Sequence, residues 1–266
     1  MATEIHPTAI VDSRARIGEG VSIGPYTIVE GDVEIGDRTV IGPHVVIAEY
    51  TRIGRECRIF SGAIIGQIPQ DVKFAGEKSI LRIGDRTTIR EFCTLNRGTA
   101  ASGETVIGND CLLLAYCHVG HDCVIGDHFI SSNNLAMGGH VLVGSNVTIG
   151  GLCGIHQFTK IGDYSMVGGF SFVTQDVVPY ALTAFDPVRV IDINRVKLER
   201  CNFAPERVTE IRRAFRVLFR SGLHLEAALG ELAEKFPGNE DVGRIIAFVR
   251  SSTRGLLRMQ SSAAAS

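Results

Sequence analysis

The chain repeats itself every six residues. An apolar side chain stands at Ile5, Val11, Ile17, Ile23, Val29, Ile35, Ile41, Ile47, Ile53, Ile59 and Ile65. The series resumes at Ile83, Ile89 and Leu95. It then runs from Ile107 through Leu113, Val119, Ile125, Met137, Val143, Ile149, Ile155, Ile161 and Val167 to Val173, with Ser131 the one polar residue in register. A helix repeats every 3.6 residues and a strand every two, so neither alone accounts for a period of six. A short fixed period of this kind marks a parallel β-helix.

Residues two apart on a strand face the same side. The fifth slot of one hexad and the first slot of the next therefore point inward, and the sixth slot between them points outward. Cys117 and Val119 are such an inward pair, with His118 outward between them. The second slot is mostly glycine, as at Gly18, Gly36, Gly54, Gly84, Gly126 and Gly162. The simplest reading gives it a corner that needs positive φ. The pattern resembles the hexapeptide left-handed β-helix family, in which three hexads close one coil of eighteen residues. About nine such coils at ~4.8 Å per rung make a prism roughly 40 Å tall.

Composition fits a tube lined by small aliphatic groups: 45% hydrophobic residues, 30 Gly and no Trp in 266 residues. Six of the seven cysteines, Cys57, Cys93, Cys111, Cys117, Cys123 and Cys153, occupy fifth slots that elsewhere hold Ala, Val or Thr. They read as small buried hydrophobes, neither disulfides nor a metal site. No apolar run approaches the ~18 residues of a membrane span, and the N-terminus lacks the pattern of a secretory signal. The expectation is a cytoplasmic protein with no stable membrane insertion and no nucleic-acid partner. Net charge is −2. It is divided unevenly, −6 over residues 1–185 and +4 over 186–266, so the C-terminal part suits an acidic partner.

The repeat spans 1–180, with loops thrown out at about 66–81 and 96–105, after each of which the period resumes in phase. Loops carried by a rigid scaffold are favoured places for function. Residues 181–204 read as an irregular connector and 205–258 as a small α-helical domain. Pro205 suits the first turn of a helix that ends before Gly222, and two more helices are expected at about 224–236 and 240–251. A disordered tail is expected over 259–266.

With eighteen residues per coil, His121, Gly139 and Gln157 form one vertical column, each a rung apart. An imidazole beside a glycine amide can pair a general base with an oxyanion donor. His118, His140 and His156 lie on the same outer surface.

Hexads over 5–178, QDVKFAGE in the first loop, RGT at 97–99, HVGHD at 118–122, GGH at 138–140, HQF at 156–158, QDVVPY at 175–180 and STRGL at 252–256 occur in this order. Together they resemble the acyl-[acyl carrier protein]–UDP-N-acetylglucosamine O-acyltransferase family. The resemblance implies a homotrimer with active sites between neighbouring prisms. It implies transfer of an (R)-3-hydroxyacyl chain from acyl carrier protein to the 3-hydroxyl of UDP-N-acetylglucosamine, the first step of lipid A synthesis. Some relatives acylate a 3-amino analogue instead. It also implies His121 as base, Asp122 as its orienting partner and Gly139 as oxyanion donor. Gln70, Asp71, Lys73, His118, His140, His156 and Gln157 match positions around the substrates. Asn194 and Arg200 match the nucleotide-binding connector, and Gly169 the position that limits acyl length. No metal or resident cofactor is implied, since the acyl group arrives on the carrier's phosphopantetheine. The chain departs from the well-known members at Asn96, where they carry His, at Ala184-Phe185, and at Val196 and Cys201. Three other readings compete: a γ-type carbonic anhydrase, a non-catalytic trimeric hexapeptide scaffold or sugar-nucleotide sensor, and an acetyl-CoA-dependent hexapeptide acetyltransferase. A γ-type carbonic anhydrase binds zinc through a histidine pair five apart, whereas His118 and His121 are three apart. The carbonic anhydrase family also lacks the large helical domain; loss of His121 leaves a scaffold indifferent, and comparison of acetyl-CoA with a 3-hydroxyacyl carrier protein as donor separates the acetyltransferase.

Overall fold

The computed structural model describes residues 2–184 and 186–260; Met1, Phe185 and 261–266 lie outside the described residues. Short strands β1 (Glu4–Ile5) through β26 (Phe172–Val173), two to four residues each, wind in threes into a triangular prism. Every third strand joins the same parallel sheet, giving sheets I, II and III. Register follows the eighteen-residue coil: Ser22 lies against Val40, and His118 against Ala136. The first-slot residues line the interior, with Ile41, Ile65, Leu113 and Val119 at 0–1% exposure. The six in-register cysteines are buried with free thiols among them. Ser131, the polar exception, sits fully buried, and its hydroxyl meets the Cys117 sulfur at 3.2 Å.

The corners correct one expectation. Positive φ falls at the fourth slot and is carried by ordinary residues such as Arg38, Glu56, Asp110, Asp122 and His140. The second-slot glycine is required by closeness between coils instead. A Cβ on Gly36 would stand 2.6 Å from the backbone carbon of Gly54 in the next coil, well inside van der Waals contact.

Both loops leave the corner between sheets II and III. The first joins β11 (Ile64–Gln67) to β12 (Ile80–Ile83), and the second joins β14 (Thr94–Asn96) to β15 (Glu104–Ile107). They stack one above the other below the His121 corner. Arg97 ties them together: its buried guanidinium lies 5.1 Å from the ring centre of Tyr50 and 5.5 Å from that of Phe74 in the first loop.

Residues 181–204 are not irregular. β27 (Ala181–Ala184) adds to sheet I, and β28 (Arg189–Ile193) turns back antiparallel upon it. Helix α1 (Arg195–Arg200) follows. The sequence hides this hairpin because its period is two and breaks the hexads. Helices α2 (Pro205–Arg220), α3 (Leu225–Lys235) and α4 (Glu240–Ser251) then pack on the end of the prism. The joint is polar and buried: Tyr180 donates to Asp241 at 2.7 Å, and Arg207 pairs with the same carboxylate. The chain past α4 returns to the prism. The amide of Leu257 bonds to Asp176, and Met259, placed in the expected tail, bridges to Val190. The strand-like order therefore reaches Gln260.

Candidate active site

His118 opens strand β17 (His118–Val119) of sheet II and His121 stands in the corner that follows, so the hexad presents two imidazoles on one edge. His121 is held by its neighbour. Its Nδ1 lies 2.7 Å from Asp122 Oδ2. A carboxylate only accepts, so Nδ1 carries the proton and Nε2 keeps its lone pair. The Asp122 side chain is wholly buried. It accepts from the Thr99 amide at 2.9 Å and the Thr99 hydroxyl at 2.7 Å, and from the Ser102 hydroxyl. Burial pushes this carboxyl up. The hydrogen bonds from Ser102, His121 and Thr99 outweigh burial and hold it well below the usual carboxylate range, so it is ionised at neutral pH. Thr99 and Ser102 both come from the second loop, whose anchoring role lies outside the six-residue register.

Gly139 stands one coil above His121. A Cβ there would lie 2.6 Å from His121 Cε1 and 2.7 Å from Nε2, so only glycine lets the imidazole occupy its place. No hydrogen bond within the chain is described for the Gly139 amide. His140 stands edge-on to His121, with ring centres 5.1 Å apart, and stacks flat on Phe158 at 4.5 Å. Its Nε2 is 3.6 Å from Asp122 Oδ2. His118 Nδ1 lies 2.8 Å from the Thr94 hydroxyl. Burial, and secondarily the charge of His121, lower the His118 pKa, which keeps it neutral.

A cleft of about 450 Å³ runs up this edge, lined by Gln70, Asn96, His118, His121, Gly139, His156, Gln157 and Phe172 among others. Six of the residues singled out by sequence thus converge on it: Gln70, His118, His121, Gly139, His156 and Gln157. Asp122 and His140 support it from behind. Asp71 and Lys73 belong to the first loop but do not line the cleft; Asp71 instead accepts the Lys73 amide at 3.0 Å. Asn194 is buried, with Oδ1 capping α1 at the Lys197 amide and Nδ2 on the Tyr164 carbonyl at 2.8 Å. Arg200 is exposed on α1, and Gly169 is exposed at the corner between sheets I and II. These three lie away from the cleft of their own chain. Sequence reasoning did not single out Thr94, Thr99, Ser102 or Phe172 as site residues. Only Thr99 carried a signal, as part of the RGT segment.

His121, Asp122 and His140 also bring one possible metal ligand each within 4.8 Å. The Asp122 carboxylate already accepts from four donor groups.

The hexapeptide prism with its helical C-terminal domain has counterparts among known proteins. The family model described as UDP N-acetylglucosamine O-acyltransferase, domain 2, matches residues 176–257. The bacterial transferase hexapeptide model matches 14–49 and 104–128. The acyl-[acyl-carrier-protein]–UDP-N-acetylglucosamine O-acyltransferase of Paracidovorax citrulli is 53% identical over 96% of this chain and 100% of its own length. That of Myxococcus xanthus is 49% identical over 96% and 99%.

The chain belongs to this acyltransferase family.

The solved UDP-N-acetylglucosamine O-acyltransferase of Moraxella catarrhalis superposes with a TM-score of 0.92 at 42% identity, covering 96% of this chain and 99% of its own. The Bacteroides fragilis enzyme gives 0.93 at 38%, over 95% and 99%. The prism is accordingly the left-handed parallel β-helix expected from the hexads, closed by a helical C-terminal domain. Among the described residues no helix is long and apolar enough to cross a membrane.

Proposed function

We propose that this protein transfers an (R)-3-hydroxyacyl chain from the phosphopantetheine thiol of acyl carrier protein to the 3-hydroxyl of the glucosamine in UDP-N-acetylglucosamine, opening lipid A synthesis. The observation that carries the reading is the His121–Gly139 pair. One offers an accepting Nε2 and the other an amide with no acceptor among the described residues, one rung apart in one cleft.

The chemistry runs as follows. The sugar hydroxyl gives its proton to His121 Nε2 as its oxygen attacks the thioester carbonyl. A free hydroxyl is a weak nucleophile near neutrality, and an imidazole is the side chain suited to take its proton. Asp122 fixes the ring and stabilises the imidazolium that forms. The negative oxygen of the tetrahedral intermediate is met by the Gly139 amide. The C–S bond then breaks, and His121 returns its proton to the departing thiolate. The thioester is already activated, so the step needs no covalent enzyme intermediate.

A homotrimer fits the exposed apolar surface. Along the edge between sheets I and II, Tyr26 stacks on His44 and Phe92 on Tyr116, with ring centres 5.1 and 5.2 Å apart. Phe170 is 78% exposed, and Phe172 and Ile10 on sheet II are 64% and 66% exposed. Apolar surface in such a continuous stripe marks an interface. In this reading the neighbouring prism contributes its exposed Arg200 and Gly169 to nucleotide and acyl contacts, with its buried Asn194 holding α1 in place. The arginines of α2 supply the cationic face for the acidic carrier protein. A cytoplasmic location follows from where these substrates are made.

The test is product formation from UDP-N-acetylglucosamine with a series of 3-hydroxyacyl carrier proteins, read by mass spectrometry. An ester at the sugar 3-position, absent with His121→Ala, supports the reading. Equal turnover by His121→Ala, or acetyl-CoA serving as the better donor, overturns it.

A further inference from the structure

We propose that Glu77 is a positioning residue for the general base: reaching across from the first loop, it pins the peptide unit of the second loop that aims two donors at Asp122. The proposal rests on the acyltransferase reading above and names what keeps that base in place.

Glu77 stands half-buried in the first loop. Its two carboxylate oxygens serve two loops: Oε2 accepts from the Ala75 amide at 2.9 Å, and Oε1 from the Ala100 amide at 3.0 Å. Ala100 lies on the exposed tip of the second loop. The backbone amides of Glu77 itself, Ala100 and Ala75 hold the Glu77 carboxyl below the usual carboxylate range. Both bonds are therefore made to an anion, and such bonds are roughly twice as strong as neutral ones. Among the described residues no other side chain of the first loop bonds to this tip. Ser79 stops at the Gly98 carbonyl, and Phe74 at the Arg97 guanidinium.

What this anchor holds is the Thr99–Ala100 peptide unit. Its N–H goes to Glu77, and its C=O accepts from the Gly103 amide at 2.8 Å. A peptide plane fixed at both ends cannot rotate, and fixing it aims Thr99. The Thr99 amide and hydroxyl both donate to Asp122. The hydroxyl is kept turned that way because it accepts from the Ala101 amide at 3.2 Å. Asp122 in turn holds Nδ1 of His121. An anion in the first loop is thus linked to the base through one peptide unit and one threonine. The same loop carries Gln70 into the cleft, so one loop both lines the substrate's place and steadies the base. A misplacement on the order of 1 Å at a reacting group is enough to cost up to ~10²-fold in rate.

The experiment compares wild type with Glu77→Ala, alone and combined with Asp122→Asn. The single-turnover rate and KM are read with UDP-N-acetylglucosamine and a 3-hydroxyacyl carrier protein. Exchange of the Thr99 amide is followed by NMR in the free protein. Glu77→Ala should lower the rate roughly 10-fold with KM for both substrates nearly unchanged, and should speed Thr99 exchange by about the same factor. In the Asp122→Asn background it should cost nothing further, because it acts through that carboxylate. Glu77→Gln, which keeps an accepting oxygen for Ala100, should recover most of the lost rate. Glu77→Leu repeats the test with the side-chain volume kept, should Glu77→Ala fail to fold. An unchanged rate, unchanged Thr99 exchange, or the same 10-fold loss on top of Asp122→Asn overturns the proposal, the last being the signature of loop support unconnected to the base. Failure of the wild-type protein to acylate UDP-N-acetylglucosamine removes the acyltransferase reading itself, and the exchange measurement, which needs no substrate, tells the two failures apart.

Discussion

Two edges of the same prism use the same slot of the same repeat in opposite ways. At the corner between sheets III and I, five third-slot amides are capped from the coil above, Glu19 by Asp37, Arg55 by Asp85, Asp85 by Asn109, Asn109 by Asp127 and Ser145 by Asp163, at 2.7–3.0 Å, while no cap is described for Asp37, Asp127 or Asp163. At the corner between sheets II and III, the residue above His121 is Gly139, and the residue above Gly139 is Gln157. No cap on either amide is described. The backbone path is the same on both edges. What differs is whether side chains complete the corner or leave its donor open. The scaffold edge spends its polar groups on stability, and the cleft edge keeps them available for a substrate.

The strongest way to break the comparison is to remove the base from the open edge. His121→Ala should lower kcat by ~10²–10⁴-fold with the thermal midpoint nearly unchanged, read by single-turnover assay and calorimetry. A more discriminating change builds the scaffold's cap into the cleft. Gln157→Asp places a carboxylate one coil above Gly139, as Asp127 stands above Asn109. It should lower kcat by roughly 10- to 100-fold by occupying the amide. Full activity in that variant would show that the open amide is not used. The converse change, Asp127→Ala, uncaps Asn109 on the scaffold edge. It should cost about 1 kcal/mol of stability, measured by denaturant unfolding, and leave turnover unchanged.

The smallest effect concerns acid. Hydrogen bonds hold the Asp122 carboxyl below its ordinary value of 3.8. The folded state therefore gains stability from the ionised group above that value and loses it as pH falls through and below it. Ser102→Ala removes one donor and raises this pKa toward normal. The acid-unfolding midpoint, followed by circular dichroism, should then move up by roughly a few tenths of a pH unit.

The sequence made the scaffold legible because every rung obeys one rule. Aliphatic first slots and small fifth slots name the interior residue by residue, and a coil of eighteen places Gly139 over His121 before any coordinates. The support of the site was harder to read. Thr99, Ser102 and Asn96 reach it from loops or loop edges, where the register lapses and chain contacts depend on loop conformation. The second-slot glycine was legible as a constraint but not in its cause, since coil-to-coil distance, rather than φ, forbids a side chain there. The β27–β28 hairpin was missed because two short alternating runs look irregular beside a six-residue period. Asn194 and Arg200 have no place in their own chain's cleft.

The central claim is that the Gly139 amide is an open donor waiting for an oxyanion. The direct measurement is the amide resonance of Gly139, with that of Asn109 as internal reference, in the free protein and with the acylated sugar nucleotide bound. The account predicts a marked downfield proton shift at Gly139 on binding and none at Asn109. A Gly139 amide that is already hydrogen-bonded in the free protein, or that stays unmoved when the acyl group occupies the cleft, would contradict it.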